Sequence, residues 1–371
     1  MKIVMFDHKR IPSREGGVEI VVEELSKRMA ALDHRVTCYN RAGHHVSGTE
    51  FDARVEDSYQ GVRLKTVLTI DKKGLAAVTS SFFAAVRSAF SRADVVHIHA
   101  EGPAFMCWLP KLFGKRIVVT VHGLDWQRAK WKSGFGAKYI RLGEKMAVRF
   151  ADEIIVLSRG VQNYFVDTYG RETVFIPNGV CPAEKKEAQQ ITECFDLKAG
   201  EYILFLGRLV PEKGIQYLID AFQEIRTHKK LVIAGGSSDT DEFTAALKKQ
   251  AAGDDRILFT GFVQGRLLEE LYSNAYVYVL PSDLEGMPLS LLEAMSYGNC
   301  CVTSDIEECA AVMEDKGITF PKADVSALQE VLQKLCDEPE TVAAYQKNAA
   351  DYITRRFNWD DVTEKTLELY Q

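Results

Sequence analysis

What the sequence lacks bounds it first. No apolar run reaches the roughly 18 residues of a bilayer-crossing helix; the nearest, Leu75–Phe90, is shorter and carries Arg87. No basic leader precedes an apolar stretch, because Met1-Lys2 passes directly into the strand-like Ile3-Val4-Met5-Phe6, so no signal peptide is expected. The eight cysteines (Cys38, Cys107, Cys181, Cys194, Cys300, Cys301, Cys309 and Cys336) include no Cys-x-x-Cys pair. In a chain of this length they are expected to be buried, reduced thiols of a cytoplasmic protein rather than a disulfide framework. No tract is of low complexity, and 46% apolar with 26% charged residues excludes disorder, collagen and coiled coil. At roughly 150 residues per domain, the 371 residues make two domains, each with apolar material for its own core.

Charge is present in both signs but unevenly shared. The formal net charge is −6. Residues 1–180 hold 27 Lys+Arg against 19 Asp+Glu, a net of +8, whereas residues 181–371 hold 19 against 33, a net of −14. A basic half joined to an acidic half implies surfaces that meet different partners.

Short β-branched runs alternate with helical patterns. Strands are predicted at Lys2–Asp7, Arg35–Tyr39, Val62–Leu68, Asp94–His97, Arg116–Val121, Glu153–Leu157 and Val174–Ile176. Five more follow at Tyr202–Leu206, Lys230–Ala234, Ile257–Thr260, Ala275–Leu280 and Cys300–Thr303. Most are continuously apolar, as strands buried on both faces are. Helices are predicted at Val18–Ala31, Ala137–Phe150, Ile215–Arg226, Thr240–Ala251 and Pro288–Ser296, and the chain after Asp324 reads as helical. This rhythm builds βαβ units and parallel sheets covered by helices. It breaks at Pro177–Glu193 and restarts at Tyr202. The fold class is therefore α/β, with two Rossmann-like, doubly wound domains at 1–180 and 181–356. Ligands are expected at strand carboxyl ends and in the cleft between domains.

A plain dinucleotide-binding fold does not fit. The loop Arg14-Glu15-Gly16-Gly17-Val18 is not Gly-x-Gly-x-x-Gly, and no acidic residue ends the second strand at Tyr39-Asn40. The loop does open a helix, whose amides suit an anion.

The most informative segment runs from Pro281 to Met295. Glu285 follows a buried strand, and Pro288 suits the first turn of a helix, where its missing N–H costs nothing. The amides of Gly286, Met287, Leu289 and Ser290 then form a helix N-terminus suited to a phosphate or to sugar oxygens. Glu293 lies one to two turns further in, among apolar residues, where a carboxylate needs a partner or hydroxyl groups to hold. A second element, Gly207-Arg208-Leu209-Val210-Pro211-Glu212-Lys213-Gly214, places two cations in a short loop before a helix, a fit for a diphosphate.

These motifs occur in order with Ile-Pro-Asn-Gly-Val at 176–180, Thr-Val-His-Gly at 120–123 and the Gly16-Gly17 loop. With Glu285-x7-Glu293 and its Glu-Gly-x-Pro, the set resembles the large family of retaining GT-B glycosyltransferases called group 1 or family four. The likeness extends over nearly the whole chain. It implies two domains facing each other across a cleft, a nucleotide-sugar donor, retention at the anomeric carbon, and neither an obligatory metal nor another cofactor. By the resemblance, Glu293 binds the nucleotide ribose and Glu285 the donor sugar hydroxyls. Arg208 and Lys213 hold the diphosphate, which Gly17 approaches from the first domain. His122 lies beside the sugar near the reacting carbon, and Thr260-Gly261-Phe262-Val263 contacts the base. The last helix, within 357–371, is expected to cross back onto the first domain, and the domains to close around the donor. Uridine diphosphate is favoured over guanosine diphosphate. Same-face attack and double displacement both stay open as routes to retention.

Residues 126–150 carry Arg128, Lys130, Lys132, Lys138, Arg141, Lys145 and Arg149 against one acid, Glu144, with Trp126 and Trp131 interleaved. On a helix, 138, 141, 145 and 149 share one face. This patch is expected to meet a saccharide or lipid-linked acceptor, or an anionic membrane surface on the inner membrane face, with either tryptophan stacking on a sugar. Nucleic acid is not expected, as no recognised module is present. His97-x-His99 lacks a third metal ligand, and Asp239-x-Asp241 reads better as a helix cap. Two other activities share the architecture: a nucleotide-sugar 2-epimerase, and a non-catalytic nucleotide-sugar binder.

Overall fold

The continuously apolar runs become the strands of two parallel sheets in the computed structural model, which describes residues 1–43, 57–70, 72, 75–128, 135–236 and 240–371. The first unit spans Met1–Asn178 and Trp359–Gln371, the second Gly179–Asn358.

The first unit runs β1 (Lys2–Phe6), α1 (Gly17–Ala31), β2 (Arg35–Arg41), β3 (Ser58–Tyr59), β4 (Val62–Val67), α2 (Leu75–Ala89) and β5 (Val95–His99). It continues with α3 (Trp108–Leu112), β6 (Arg116–Val121), α4 (Phe135–Phe150), β7 (Glu153–Val156), α5 (Arg159–Tyr169) and β8 (Val174–Phe175). The sheet order is β3-β4-β2-β1-β5-β6-β7-β8, parallel except for β3. Order reverses at β1, with β2 on one side and β5 on the other. Phe6, Ile98, Val119, Val156 and Phe165 meet in its core, each contributing about 1.5–3 kcal/mol by burial. Local chemistry agrees with the packing at α5: the Ser158 hydroxyl accepts from the Val161 amide at the start, and Gly170 ends the helix.

The second unit runs α6 (Gln190–Phe195), β9 (Tyr202–Leu206), α7 (Ile215–Gln223), β10 (Lys230–Ala234), α8 (Asp241–Ala251), β11 (Ile257–Gly261), α9 (Gly265–Asn274) and β12 (Val277–Leu280). Then come α10 (Leu289–Ser296), β13 (Cys300–Ser304), α11 (Glu307–Met313), β14 (Ile318–Phe320), α12 (Val325–Asp337) and α13 (Pro339–Arg356). Its sheet, β11-β10-β9-β12-β13-β14, is wholly parallel and reverses between β9 and β12. The last helix, α14 (Trp359–Glu368), belongs to the first unit. There Arg28 Nε donates to Asp360 at 2.8 Å, and Arg116 Nε to the Leu369 carbonyl at 2.7 Å.

Three readings need correction. Two strands, β3 and β14, went unread because two or three residues carry no usable periodicity. Pro288 is extended (φ −77°, ψ 99°) and caps α10 from outside, rather than occupying its first turn. Five cysteines are buried, but Cys336 is half-buried, and Cys181 and Cys194 are exposed, on the linker and on short α6.

Candidate functional site

In the second unit the carboxyl ends of β9 and β12 lie side by side at the order reversal, where open α/β sheets bind ligands. The loop after β9 carries Arg208 and Lys213; the one after β12 carries Glu285. Gly214 joins them: its φ is +66°, and a Cβ there would run into the Pro281 carbonyl oxygen. The Asp283 amide donates to the Glu212 carbonyl at 2.8 Å, which locks the two loops together. Lys213 Nζ then lies 2.6 Å from Glu285 Oε1, with the two side chains only 12% and 9% exposed. Ser282 Oγ donates to the same oxygen at 2.6 Å. The desolvation of a near-buried pair opposes its attraction, so the pair is weak evidence of a gain in stability.

Glu293 projects from α10 and accepts from the Tyr272 hydroxyl at 3.2 Å, while Tyr297 stacks on the Tyr272 ring. The carboxylate among apolar neighbours thus has a partner within its own unit. The segment Gly286–Leu289 leads into the N-terminus of α10. Phe262 and Val263 follow β11, and the Gly235 amide donates to the Gly261 carbonyl at 2.9 Å, which sets this turn beside the end of β10.

In the first unit His122 directly follows β6 and lies half-buried beside the end of β5. Its Nε2 is 3.2 Å from His99 Nδ1, and the two rings stack. Burial pulls His122 down to about 4, against the opposing charges of Asp125 and Glu19, so the imidazole is neutral near pH 7. His97, stacked on His99, reaches the Tyr370 hydroxyl at 2.6 Å and Thr120 Oγ1 at 2.7 Å. These histidines serve one another and hydroxyl groups. Among the described residues no cluster of three His, Cys, Asp or Glu is arranged to hold a metal ion.

The Gly16-Gly17 loop does open α1, with Gly16 as its cap. The helix's own Glu19 is buried there: it accepts from the Lys9 amide at 2.8 Å, and a Cβ on Gly16 would meet its carboxylate. The first turn of this helix thus carries a carboxylate of its own. Trp126 is packed rather than open: the Arg141 guanidinium lies 4.3 Å from its ring centre, and Tyr164 flanks it. Arg128 pairs with Asp125 at 2.8 Å. Lys138, Arg141 and Lys145 are exposed along α4. Trp131, Lys130, Lys132 and Asp239 lie outside the described residues.

One group escaped the sequence reading. Glu101, just beyond β5, accepts from the Asp125 amide at 2.8 Å and so tethers the loop after His122. Glu144 of α4 lies beside it and accepts from Tyr164 at 2.7 Å and Tyr169 at 2.5 Å. Both glutamates are fully buried. Burial first, then Asp125 and Glu144, pushes Glu101 well above the usual carboxylate range. Gly143 lets α4 approach, since a Cβ there would strike the Glu101 carbonyl. The available signal was a carboxylate at a strand's carboxyl end.

Comparison with known proteins follows the same division. The family described as Glycosyltransferase Family 4 matches residues 15–184, and Glycosyl transferases group 1 matches residues 200–338. Glycogen synthase of Mycobacterium tuberculosis is 26% identical, covering 100% of this chain and 94% of its own. Among solved structures, sucrose-phosphate synthase from Thermosynechococcus elongatus superposes with a TM-score of 0.82 at 23% identity (100% of this chain, 98% of that one). Anabaena HepE in complex with UDP-glucose does so at 0.81 and 17% identity, over 99% and 98%. These two likenesses show the fold, which is GT-B. With both units matched in order, the chain belongs to the group 1, family 4 glycosyltransferases.

Proposed function

We propose that this protein is a retaining glycosyltransferase that moves a sugar from a nucleoside-diphosphate donor to a saccharide or lipid-linked acceptor, in polysaccharide or glycolipid synthesis. The observation that carries the reading is the Lys213–Glu285 pair, held at the β9/β12 reversal with Arg208 on the adjoining loop. A departing diphosphate needs its growing charge met, and Arg208, Lys213 and the α10 N-terminus supply that without a metal or other cofactor. An ammonium has three N–H groups, so Lys213 serves the carboxylate and a phosphate oxygen together. Glu285 accepts from donor sugar hydroxyls, Glu293 from the ribose, and the turn at Phe262-Val263 meets the base. His122, neutral, holds a sugar hydroxyl near the reacting carbon as oxocarbenium character develops. The working route is same-face attack: the new bond forms on the side the diphosphate leaves, and its phosphate oxygen takes the acceptor's proton. Uridine diphosphate is the favoured carrier, which the UDP-glucose complex of the HepE neighbour supports.

Thermal-shift titration with UDP- and GDP-sugars tests donor binding, and proton NMR of the product tests the anomer. Stabilisation by a UDP-sugar and an unchanged anomeric configuration are expected. An inverted product, or turnover unaffected by both Glu285→Gln and His122→Ala, would sink the assignment.

A further inference from the structure

The twelve large apolar side chains that stand exposed among the described residues all lie in the first unit, and eight of them fall between Leu68 and Phe113. Helix α2 explains the concentration. Its inner face buries Ala84 and Ala85 in the core, yet its outer face carries Leu75, Phe82 and Phe83, with Phe90 just past its end. A helix apolar on both faces is normally covered on both. Here the aromatic rings pair with each other instead: Phe82 edge-on to Phe83 at 5.4 Å, and Phe90 edge-on to Phe113 at 4.7 Å. Phe113 and Leu112 close α3, which packs on α2, so the patch is continuous across both helices. Phe90 is 73% and Leu112 70% exposed.

The two segments that carry this patch hold cations and no acid of their own, and the acids that border them, Asp94, Asp152 and Glu153, are outnumbered by five cations. Residues 75–93 contain Arg87 and Arg92 and no acid; residues 102–116 contain Lys111, Lys115 and Arg116 and no acid. Lys111 is anchored by Asp152 and Arg116 by Glu153, while Lys115 donates to the Ser91 carbonyl and Arg87 to that of Thr66. Arg92 is exposed. A second copy of the chain would set like charges against each other across this face. Aromatic and aliphatic side chains rimmed by cations, on the basic half of the molecule, match an anionic lipid surface. Among the described side chains of helix α4, which carries a row of cations, Leu142 alone is a large apolar group that stands exposed.

We infer that the α2–α3 face docks on an anionic bilayer, with Phe82, Phe90 and Leu112 entering the headgroup boundary. The inference is independent of the transfer reaction. It is tested by co-sedimenting the full chain with vesicles of phosphatidylcholine alone, or with about a third phosphatidylglycerol. Binding is expected on the anionic vesicles only, falling at least about tenfold in the triple variant Phe82→Ser/Phe90→Ser/Leu112→Ser. Should that variant fail to fold, the single variant Phe90→Trp carries the test: its emission shifts to the blue on anionic vesicles and stays unchanged without them. Four results overturn the inference. These are no vesicle binding, binding unchanged in the triple variant, loss only on reversing Lys138, Arg141 and Lys145 to Glu, or a dimer that the triple variant abolishes.

Discussion

Lys213 and Glu285 meet at 2.6 Å across 72 residues of chain, and neither stands in much water. Glu285→Gln leaves the ammonium without its counter-charge. Stability should fall by about 2–4 kcal/mol, and transfer by at least about a hundredfold if the carboxylate orients the donor. Added nucleoside diphosphate should narrow the stability deficit, because phosphate replaces the lost anion; parallel melts of both proteins with and without nucleotide read this. Gly214 gives an independent check of the same geometry. Gly214→Ala combines a positive φ with a collision against Pro281 and should cost about 3 kcal/mol or more in urea unfolding. Gly200→Ala has φ +74° but open space around the new methyl, so about 1 kcal/mol is expected. Equal costs at the two positions would contradict the close loop approach. Both loops were legible in the sequence as motifs. Their contact was not, because no local pattern says that a glycine abuts a carbonyl 67 positions later.

At the scale of elements, β1, β5 and β6 end in buried titratable groups. His8 is pulled down to about 4 and His97 to about 3, both mainly by burial, and His99 falls well below its usual value for the same reason. Each is neutral in the folded state while the unfolded chain takes up a proton below pH 6.5, so folding stability is lost as pH drops from about 6.5 towards 4. The slope is up to about 1.4 kcal/mol per pH unit for each group. Asp7 and Glu101 act in the opposite sense: burial raises Asp7 to about 7 and Glu101 well above the carboxylate range. Their contributions are lost as pH rises from about 4 and offset two histidines, while His122, pulled down to about 4, adds a fourth to the other side. The urea midpoint should therefore drop between pH 7 and pH 5, and a flat profile would count against a neutral histidine cluster. His97-x-His99 was visible as two residues on one strand face. Their partners, Thr120 and Tyr370, come from a neighbouring strand and the far end of the chain, beyond the reach of any local pattern.

For the whole molecule, the chain's last turn completes its first unit. Tyr370 is buried with its hydroxyl 2.6 Å from His97, a link spanning 273 residues. Tyr370→Phe should cost about 1–2 kcal/mol through the lost hydrogen bond, and Tyr370→Ala about 3–5 kcal/mol through the cavity. Both are measured by denaturant unfolding of the full chain. A near-zero cost for the alanine variant would mean that α14 does not close this unit. The sequence by itself determined the parallel α/β architecture and the charge asymmetry, because apolar runs, turn residues and charge are written locally. Only the tertiary structure decided what lies together: Lys213 on Glu285, Glu19 over its own helix N-terminus, Arg141 over Trp126, and an apolar α2–α3 face turned outward. Contact and exposure depend on how elements pack, and packing joins residues that the chain keeps far apart.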